Sequence, residues 1–191
     1  SGTGKSTLMH LLAGIDLPTS GCVVYDRQSL QEMASEEKDL FLNKKLGLVF
    51  QDPHLIKELT VAENVMLKGL ILQQSYKDAK KEALALLELV ELADKTEHHP
   101  LSLSGGQQQR IAILRALFNK PQFLLADEPT GNLDRESAKV IIDLLLTGKE
   151  WGMGLVVSSH DPYVAQRMEK KLVLKQGKLS EQTRSEQVRF E

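Results

Sequence analysis

The chain opens on a segment that could bind phosphate, Ser1-Gly2-Thr3-Gly4-Lys5-Ser6-Thr7. Its glycines let the backbone pass close to phosphate oxygens with the amides pointing inward, and the helix that follows adds its positive N-terminal end. Lys5 would bridge the outer phosphates of a nucleotide, Ser6 would supply a hydroxyl to Mg²⁺, and Thr7 would steady the loop. A glycine-rich turn without a ligand is the alternative for this segment alone. We expect the first glycine of the motif to precede Ser1.

Two adjacent carboxylates could hydrolyse a bound nucleotide. Asp127 and Glu128 follow the apolar run Phe123 to Ala126, which is typical of a buried strand. Asp127 would hold Mg²⁺ through its water shell, while Glu128 would orient or deprotonate the attacking water. A solvated acidic loop is the alternative for an isolated pair. The strand before the pair and the segment Pro129-Thr130-Gly131-Asn132-Leu133-Asp134 after it favour the catalytic interpretation.

A second helix start could also bind an anion, at Ser104-Gly105-Gly106-Gln107. One nucleotide does not need two such loops from a single subunit. We therefore predict a head-to-tail pair of chains, in which this loop of one chain completes the phosphate site of the other. A simple helix cap is the alternative, and Gln107, Gln109 and Arg110 behind the glycines disfavour it.

The elements that must position these residues follow an alternating pattern. Short apolar runs predict strands at Cys22 to Tyr25, Leu46 to Phe50, Phe123 to Ala126, Leu155 to Ser158 and Leu172 to Leu174. Helical patterns separate most of these runs, which predicts an α/β fold with a mainly parallel sheet. Gln176-Gly177 predicts a tight turn between two short strands, and the polar tail after Ser180 predicts a loose end.

The stretch from Val61 to Leu92 differs because it contains two helical patterns and no strand signal. It predicts a helical subdomain inserted in the α/β core, from which the chain returns with the helix that begins near Ser104. We place this subdomain at approximately 52–103, within one nucleotide-binding domain that covers 1–191 and whose first strands we expect to precede Ser1.

Composition excludes several classes of protein. The 191 residues are 41% hydrophobic, which is enough for one sizeable core. A net charge of −2 disfavours a polybasic binder of nucleic acid or membrane surfaces. Cys22 is the single cysteine, so an internal disulfide is impossible, as is typical of a reducing cytoplasm. No stretch approaches the roughly 18 apolar residues of a membrane span, so membrane association would come through a partner.

These residues together resemble the nucleotide-binding domain of an ATP-binding cassette (ABC) protein, over essentially the whole chain. The resemblance rests on six motifs in family order, of which three are described above. Gln51 follows the strand Leu46 to Phe50, as in the Q-loop of the family. Asn132-Leu133-Asp134 resembles the D-loop, which crosses the dimer interface. His160, after Leu155 to Ser158, resembles the switch histidine that contacts the γ-phosphate.

The resemblance implies a P-loop NTPase core that binds ATP and Mg²⁺. It implies catalytic roles for Glu128, His160 and Gln51, and metal binding by Ser6, Gln51 and Asp127. Contacts to the nucleotide would come from the segments 1–7 and 104–107 and from Asp134. In isolation Gln51 would be a polar strand terminus and His160 a structural imidazole. The aromatic residue that stacks on adenine in the family would precede Ser1.

Within the family, Asp127 to Asp134 is similar to the branch of lipoprotein release, macrolide-type export and cell division. The segments 46–51, 54–56, 99–100 and 103–110 most resemble the lipoprotein-releasing ATPase. In that family two ATPase subunits sit under integral membrane permease subunits, at the cytoplasmic face of the inner membrane, and drive lipoproteins towards the outer membrane. We expect a homodimer, peripheral to the membrane, without nucleic acid. A soluble ATPase of DNA repair or translation and a non-catalytic subunit are the alternatives.

Overall fold

The fold alternates helices and strands, and the computed structural model describes residues 2–181 of the chain. Ser1, which we place in the phosphate loop, and the tail from residue 182 lie outside the described residues. The helices are α1 (Lys5–Leu12), α2 (Ser35–Lys45), α3 (Val61–Ile71), α4 (Tyr76–Glu88), α5 (Gly105–Leu117), α6 (Arg135–Thr147) and α7 (Pro162–Arg167). The strands are β1 (Val24–Tyr25), β2 (Gln28–Ser29), β3 (Leu46–Val49), β4 (Phe123–Asp127), β5 (Gly154–Ser158), β6 (Leu172–Lys175) and β7 (Lys178–Glu181). Within residues 2–181 none of the helices has the length and apolar character that crossing a membrane requires.

The centre of the fold is a parallel sheet in the order β3-β4-β5. Leu125 of β4 lies opposite Leu48 of β3 and Val156 of β5. Parallel strands end at a common edge, where α/β proteins bind their ligands. The residues that follow these strands therefore line one edge. This sheet and its helices confirm the predicted α/β class.

Each face of the sheet carries its own core, because successive side chains of a strand point to opposite sides. Leu125 packs on one face with Met9 of α1 and with Tyr25. Leu124 and Ala126 belong to the larger core on the other face, which is built with the helices α3 to α6. Burial on both faces explains why Phe123 to Ala126 is continuously apolar.

Two α-helices, two short 3-10 helices and no strand occupy the described chain between β3 and α5, in agreement with the two helical patterns from Val61 to Leu92. Thr60 and Glu63 form a capping box at the start of α3, since each side chain bonds the other residue's backbone amide. The bounds of 52–103 for a helical subdomain stay a prediction. The helices α3 and α5 pack together with Val65 and Ile111 fully buried.

The strand predicted at Cys22 to Tyr25 is shorter than expected. Only Val24–Tyr25 forms a strand, and it pairs antiparallel with Gln28–Ser29 outside the parallel sheet. The turn at Gln176-Gly177 is confirmed, because β6 and β7 form an antiparallel hairpin around it. The helix α2 gives no periodic signal in the sequence, since none of its residues is buried.

Gly47 allows α5 to approach the sheet closely. A Cβ atom at this position would lie 2.6 Å from both the Ala116 carbonyl oxygen and Leu124 Cδ1. We expect Gly47→Ala to lower the free energy of unfolding by about 1–3 kcal/mol, because the Ala116 contact is with backbone that moves only with the whole helix. Urea denaturation followed by circular dichroism would measure the change. An unaltered midpoint would contradict this account of the packing.

Candidate active site

The phosphate loop leads into α1 with its backbone already in an unusual conformation. Gly2 and Gly4 have φ angles of 81° and 89°, in the left-handed region that residues with a Cβ rarely adopt. Gly4 is the N-cap of α1, and Lys5, Ser6 and Thr7 form its first turn. This first turn contains no acidic residue, and the N-cap makes no side-chain hydrogen bond. The helix start is therefore suited to an anion.

Glu128 joins two of the predicted site residues. Lys5 Nζ lies 3.7 Å from Glu128 Oε1, and His160 Nδ1 lies 3.0 Å from Glu128 Oε2. Because an ionised carboxylate only accepts hydrogen bonds, this contact is a hydrogen bond when His160 Nδ1 carries a proton. The Glu128 side chain is 15% exposed and that of His160 76%. The carboxylate is thus sheltered while the imidazole faces outward.

The backbone of Glu128 aims the carboxylate at this position. Its φ angle is 45°, which is uncommon for a residue other than glycine. Two hydrogen bonds hold the conformation: the Glu128 amide donates to the Ser158 carbonyl at 2.9 Å, and the Glu128 carbonyl accepts from the Gly131 amide at 3.0 Å. Strained backbone of this kind clusters at functional sites.

Asp127 is the buried last residue of β4, directly opposite Ser158 of β5. The Ser158 hydroxyl donates a hydrogen bond to Asp127 Oδ1. Sequence reasoning overlooks Ser158 as a site residue. Its only signal is a polar residue at the end of an apolar run, which gains meaning once the strand register is known.

Gln51 lies against the loop that follows Glu128. Its Nε2 donates to Asn132 Oδ1 at 3.1 Å, and Asn132 Nδ2 donates to Asp52 Oδ1 at 3.1 Å. A Cβ atom on Gly131 would lie 3.0 Å from Gln51 Nε2, so the two loops are in close contact. The structure therefore brings Gln51 to the segment that carries the carboxylates.

The segment Ser104-Gly105-Gly106-Gln107 forms the start of α5. Ser104 and Gln107 make a capping box, with the Ser104 amide 2.9 Å from Gln107 Oε1 and the Gln107 amide 3.3 Å from Ser104 Oγ. Among residues 2–181, no hydrogen bond joins this segment to the phosphate loop. That this segment contacts the nucleotide bound by a second chain therefore stays a prediction.

Asp134 caps α6, where its Oδ1 accepts from the amides of Glu136 and Ser137 and its Oδ2 from the Ser137 hydroxyl. The hydrogen bonds from the Ser137 hydroxyl and amide hold the pKa of the Asp134 carboxyl below its usual value. Ser137 also lies beside Gly106, whose Cβ would be 3.1 Å from Ser137 Oγ. The predicted D-loop and the start of α5 are thus neighbours in one chain.

A magnesium ion would find oxygen donors among the predicted residues. Ser6 offers a hydroxyl, Gln51 an amide oxygen and Asp127 a carboxylate, all of which suit Mg²⁺. In the described part of the chain, no group of three or more His, Cys, Asp or Glu residues is arranged to hold a metal. Mg²⁺ at a nucleotide site takes most ligands from water and phosphates, so one carboxylate with neutral oxygens fits the ion.

Comparison with known proteins identifies the class of site. The family model described as ABC transporter matches residues 1–131. The lipoprotein-releasing system ATP-binding protein LolD of Legionella pneumophila (strain Paris) is 44% identical over 180 residues, 94% of this chain and 79% of that protein. The LolD protein of Xanthomonas campestris pv. campestris (strain 8004) is 45% identical over 182 residues, 95% of this chain and 76% of that protein.

Solved structures agree with these sequence relatives. The dimeric structure of MJ0796, a bacterial ABC transporter cassette, has a TM-score of 0.85 and 39% sequence identity over 95% of this chain and 82% of that one. A dimeric post-hydrolysis state of MJ0796 bound to ADP and Pi has a TM-score of 0.84 and 39% identity over 94% of this chain and 81% of that one. The predicted P-loop NTPase fold and the family resemblance are confirmed. The chain belongs to the ABC transporter family, as an ATP-binding cassette.

Proposed function

We propose that this chain is the ATP-hydrolysing subunit of an inner-membrane ABC transporter that releases lipoproteins towards the outer membrane. The observation that carries the enzymatic part is the position of Glu128 between Lys5 and His160, at the sheet edge where β4 and β5 end. A sheltered carboxylate beside a phosphate-binding helix start is placed to act on water attacking the outer phosphate.

Each residue has a defined part in this reaction. The amides of the phosphate loop and Lys5 bind the phosphates of ATP, and Glu128 orients the water that attacks the γ-phosphorus. The bond from the γ-phosphorus to the bridging oxygen breaks, the proton of the water passes to Glu128, and ADP and inorganic phosphate result. His160, whose Nδ1 lies 3.0 Å from Glu128 Oε2, would contact the γ-phosphate through an Nε2–H donor, since phosphate oxygens only accept hydrogen bonds.

A magnesium ion would neutralise charge on the phosphate oxygens when bound. We assign Ser6, Gln51 and Asp127 to hold it. The Ser158 hydroxyl on Asp127 Oδ1 keeps this carboxylate oriented at the end of β4. The contact of Gln51 with Asn132 links the metal site to the loop that leads to Asp134.

We infer that two identical chains close head to tail on two ATP molecules. The start of α5 supports this, because no described hydrogen bond joins Ser104-Gly105-Gly106 to the phosphate loop of the same chain. Ser137 lies beside Gly106 and donates to Asp134, so the D-loop and the second anion site would meet the partner chain together. The similarity to dimeric cassettes supports the same arrangement.

The lipoprotein cargo rests on relatives named for lipoprotein release, at 44% and 45% identity. By that analogy the pair would sit at the cytoplasmic face of the inner membrane, attached through integral permease subunits, and no nucleic acid would be bound. Closure of the pair on ATP would move the permease through the surface around residues 51–63, and hydrolysis would reopen it.

The test is to tag the protein in the cells that produce it, solubilise the membranes and identify the copurifying proteins by mass spectrometry. We expect a stoichiometric pair of permease subunits together with lipoprotein. Permease subunits of a macrolide-export or cell-division complex would move the chain to another branch. A soluble protein with ribosomes or DNA would overturn the transport proposal.

A further inference from the structure

Two side chains of α5 hold the chain segment that follows β3. Gln109 is 2% exposed, and its Nε2 donates to the Phe50 carbonyl at 2.9 Å. Six residues later, Arg115 donates from one guanidinium nitrogen to the His54 carbonyl at 2.8 Å and from the other to the Pro53 carbonyl at 2.9 Å. Side chains from a single helix therefore bind the segment 50–54 at three carbonyl groups.

These bonds satisfy carbonyl groups that have left the sheet. β3 ends at Val49, so the carbonyl of Phe50 and those after it have no ladder partner there. The Gln109 amide is buried and would be costly to leave unpaired. The segment is thus tied to α5 by side chains rather than by regular secondary structure.

Arg115 is a cation held by neutral groups. Burial lowers the pKa of its guanidinium, although the group stays charged. Among the described residues it forms no ion pair with a carboxylate, and its guanidinium instead binds two neighbouring carbonyl oxygens through separate nitrogens. The planar guanidinium, with its separate N–H donors, therefore holds two successive carbonyl groups of the segment at once.

The two ends of this arrangement carry functional residues. The start of α5 is the anion site Ser104-Gly105-Gly106, and Gln109 lies about one turn further along. Phe50 directly precedes Gln51, whose amide contacts Asn132. A displacement of α5 would therefore be transmitted to Gln51 through the bond from Gln109 to Phe50.

We propose that Gln109 and Arg115 are positioning residues that clamp the segment 50–54 to α5, so that the anion site at the helix start and Gln51 move as one unit. This inference rests on the proposed function, in which Ser104-Gly105-Gly106 receives the partner chain's nucleotide and Gln51 faces the metal. The clamp would couple arrival of the second nucleotide to the placement of Gln51.

The chain offers a matched control in the preceding glutamine. Gln108 Nε2 donates to the Leu103 carbonyl at 3.1 Å, next to the start of its own helix, and makes no described bond to the segment 50–54. Gln108→Met and Gln109→Met remove the same amide from neighbouring positions. Both variants keep a side chain of similar length, so a difference between them reports the clamp.

We expect Gln109→Met to lower kcat for ATP hydrolysis about tenfold, the effect of one lost buried hydrogen bond. The KM for ATP should stay within about twofold, because the phosphate loop is untouched. The Mg²⁺ concentration for half-maximal rate should rise, and hydrogen exchange should accelerate in peptides covering residues 50–56. Gln108→Met should change none of these quantities.

Arg115→Lys provides a second variant if Gln109→Met folds poorly. The lysine retains the positive charge but lacks the two separate guanidinium nitrogens that bind the two carbonyl groups. Arg115→Lys should therefore accelerate hydrogen exchange in the peptides covering residues 50–56 without altering the KM for ATP. Equal effects of Gln108→Met and Gln109→Met on kcat and exchange would overturn the clamp. If the wild-type chain did not hydrolyse ATP, the proposed function would fail, while the exchange measurement would still test the clamp.

Discussion

Glu128→Gln is expected to abolish ATP turnover while leaving ATP binding intact. The amide keeps the size of the carboxylate but cannot accept a proton from the attacking water. General-base catalysis typically contributes 10²–10⁴-fold, so we expect kcat to fall at least about hundredfold. Lys5 would lose its carboxylate partner and remain free for the phosphates, so the affinity for ATP should not decrease.

Two measurements check this result. Phosphate release under saturating Mg-ATP gives kcat, and size-exclusion chromatography with ATP shows whether two chains stay together. We expect the variant to accumulate an ATP-bound dimer, since closure proceeds and the step that reopens it is blocked. Glu88→Gln, on an exposed glutamate of α4, is the matched control and should behave as the wild type. Normal turnover in Glu128→Gln would remove the catalytic assignment.

Lys5→Ala is expected to weaken ATP binding about 10- to 100-fold. The ammonium stands at the first residue of α1, next to the glycine loop, where its charge meets the outer phosphates. A hydrogen bond to a charged group contributes about 1.5–3 kcal/mol, and about 1.4 kcal/mol corresponds to a tenfold change in Kd. The loss should be smaller for AMP, which lacks those outer phosphates.

Isothermal titration with ATP and with AMP would separate the two contributions. Lys81→Ala, on an exposed lysine of α4, removes the same charge away from the loop and should leave both affinities unchanged. An unaltered Kd for ATP in Lys5→Ala would count against its role at the phosphates. Because the two variants act on different quantities, they separate nucleotide binding from hydrolysis.

Two features of the structure explain why Glu128 should dominate the chemistry. Its carboxylate contacts Lys5 from α1 and His160 from the segment after β5, so it lies where two elements of the sheet edge meet. Its left-handed backbone is held from both sides by the Ser158 carbonyl and the Gly131 amide. A movement of the loop that follows β4 would therefore also displace the Glu128 carboxylate.

Several local features followed from sequence alone, because short-range chemistry decides them. Gly2 and Gly4 predicted a loop whose backbone can pass close to phosphate, and both have positive φ angles, which residues with a Cβ rarely adopt. Ser104 marked a helix start, and it caps α5. Gln176-Gly177 marked a turn that closes a hairpin. In each case the residue type and its immediate neighbours set the conformation.

The common edge of Gln51, Glu128 and His160 was also predictable in outline. Each residue follows an apolar run, and parallel strands bring their carboxyl ends together. The pattern failed for α2, in which no residue is fully buried, and for Cys22 to Tyr25, where a short hairpin replaces the expected strand. A periodic signal depends on burial, so elements that lie on the surface leave little trace in the sequence.

Only the tertiary structure decided which side chains meet. Ser158 binds Asp127 because the register of β4 and β5 sets them opposite each other, and Gln109 reaches the Phe50 carbonyl because α5 packs on β3 beside Gly47. These partners are tens of residues apart, and a shift of one residue in strand register would turn the Ser158 side chain to the other face of the sheet. The sequence thus determined the chemical groups and the local conformations, whereas packing of the helices on the sheet determined their contacts.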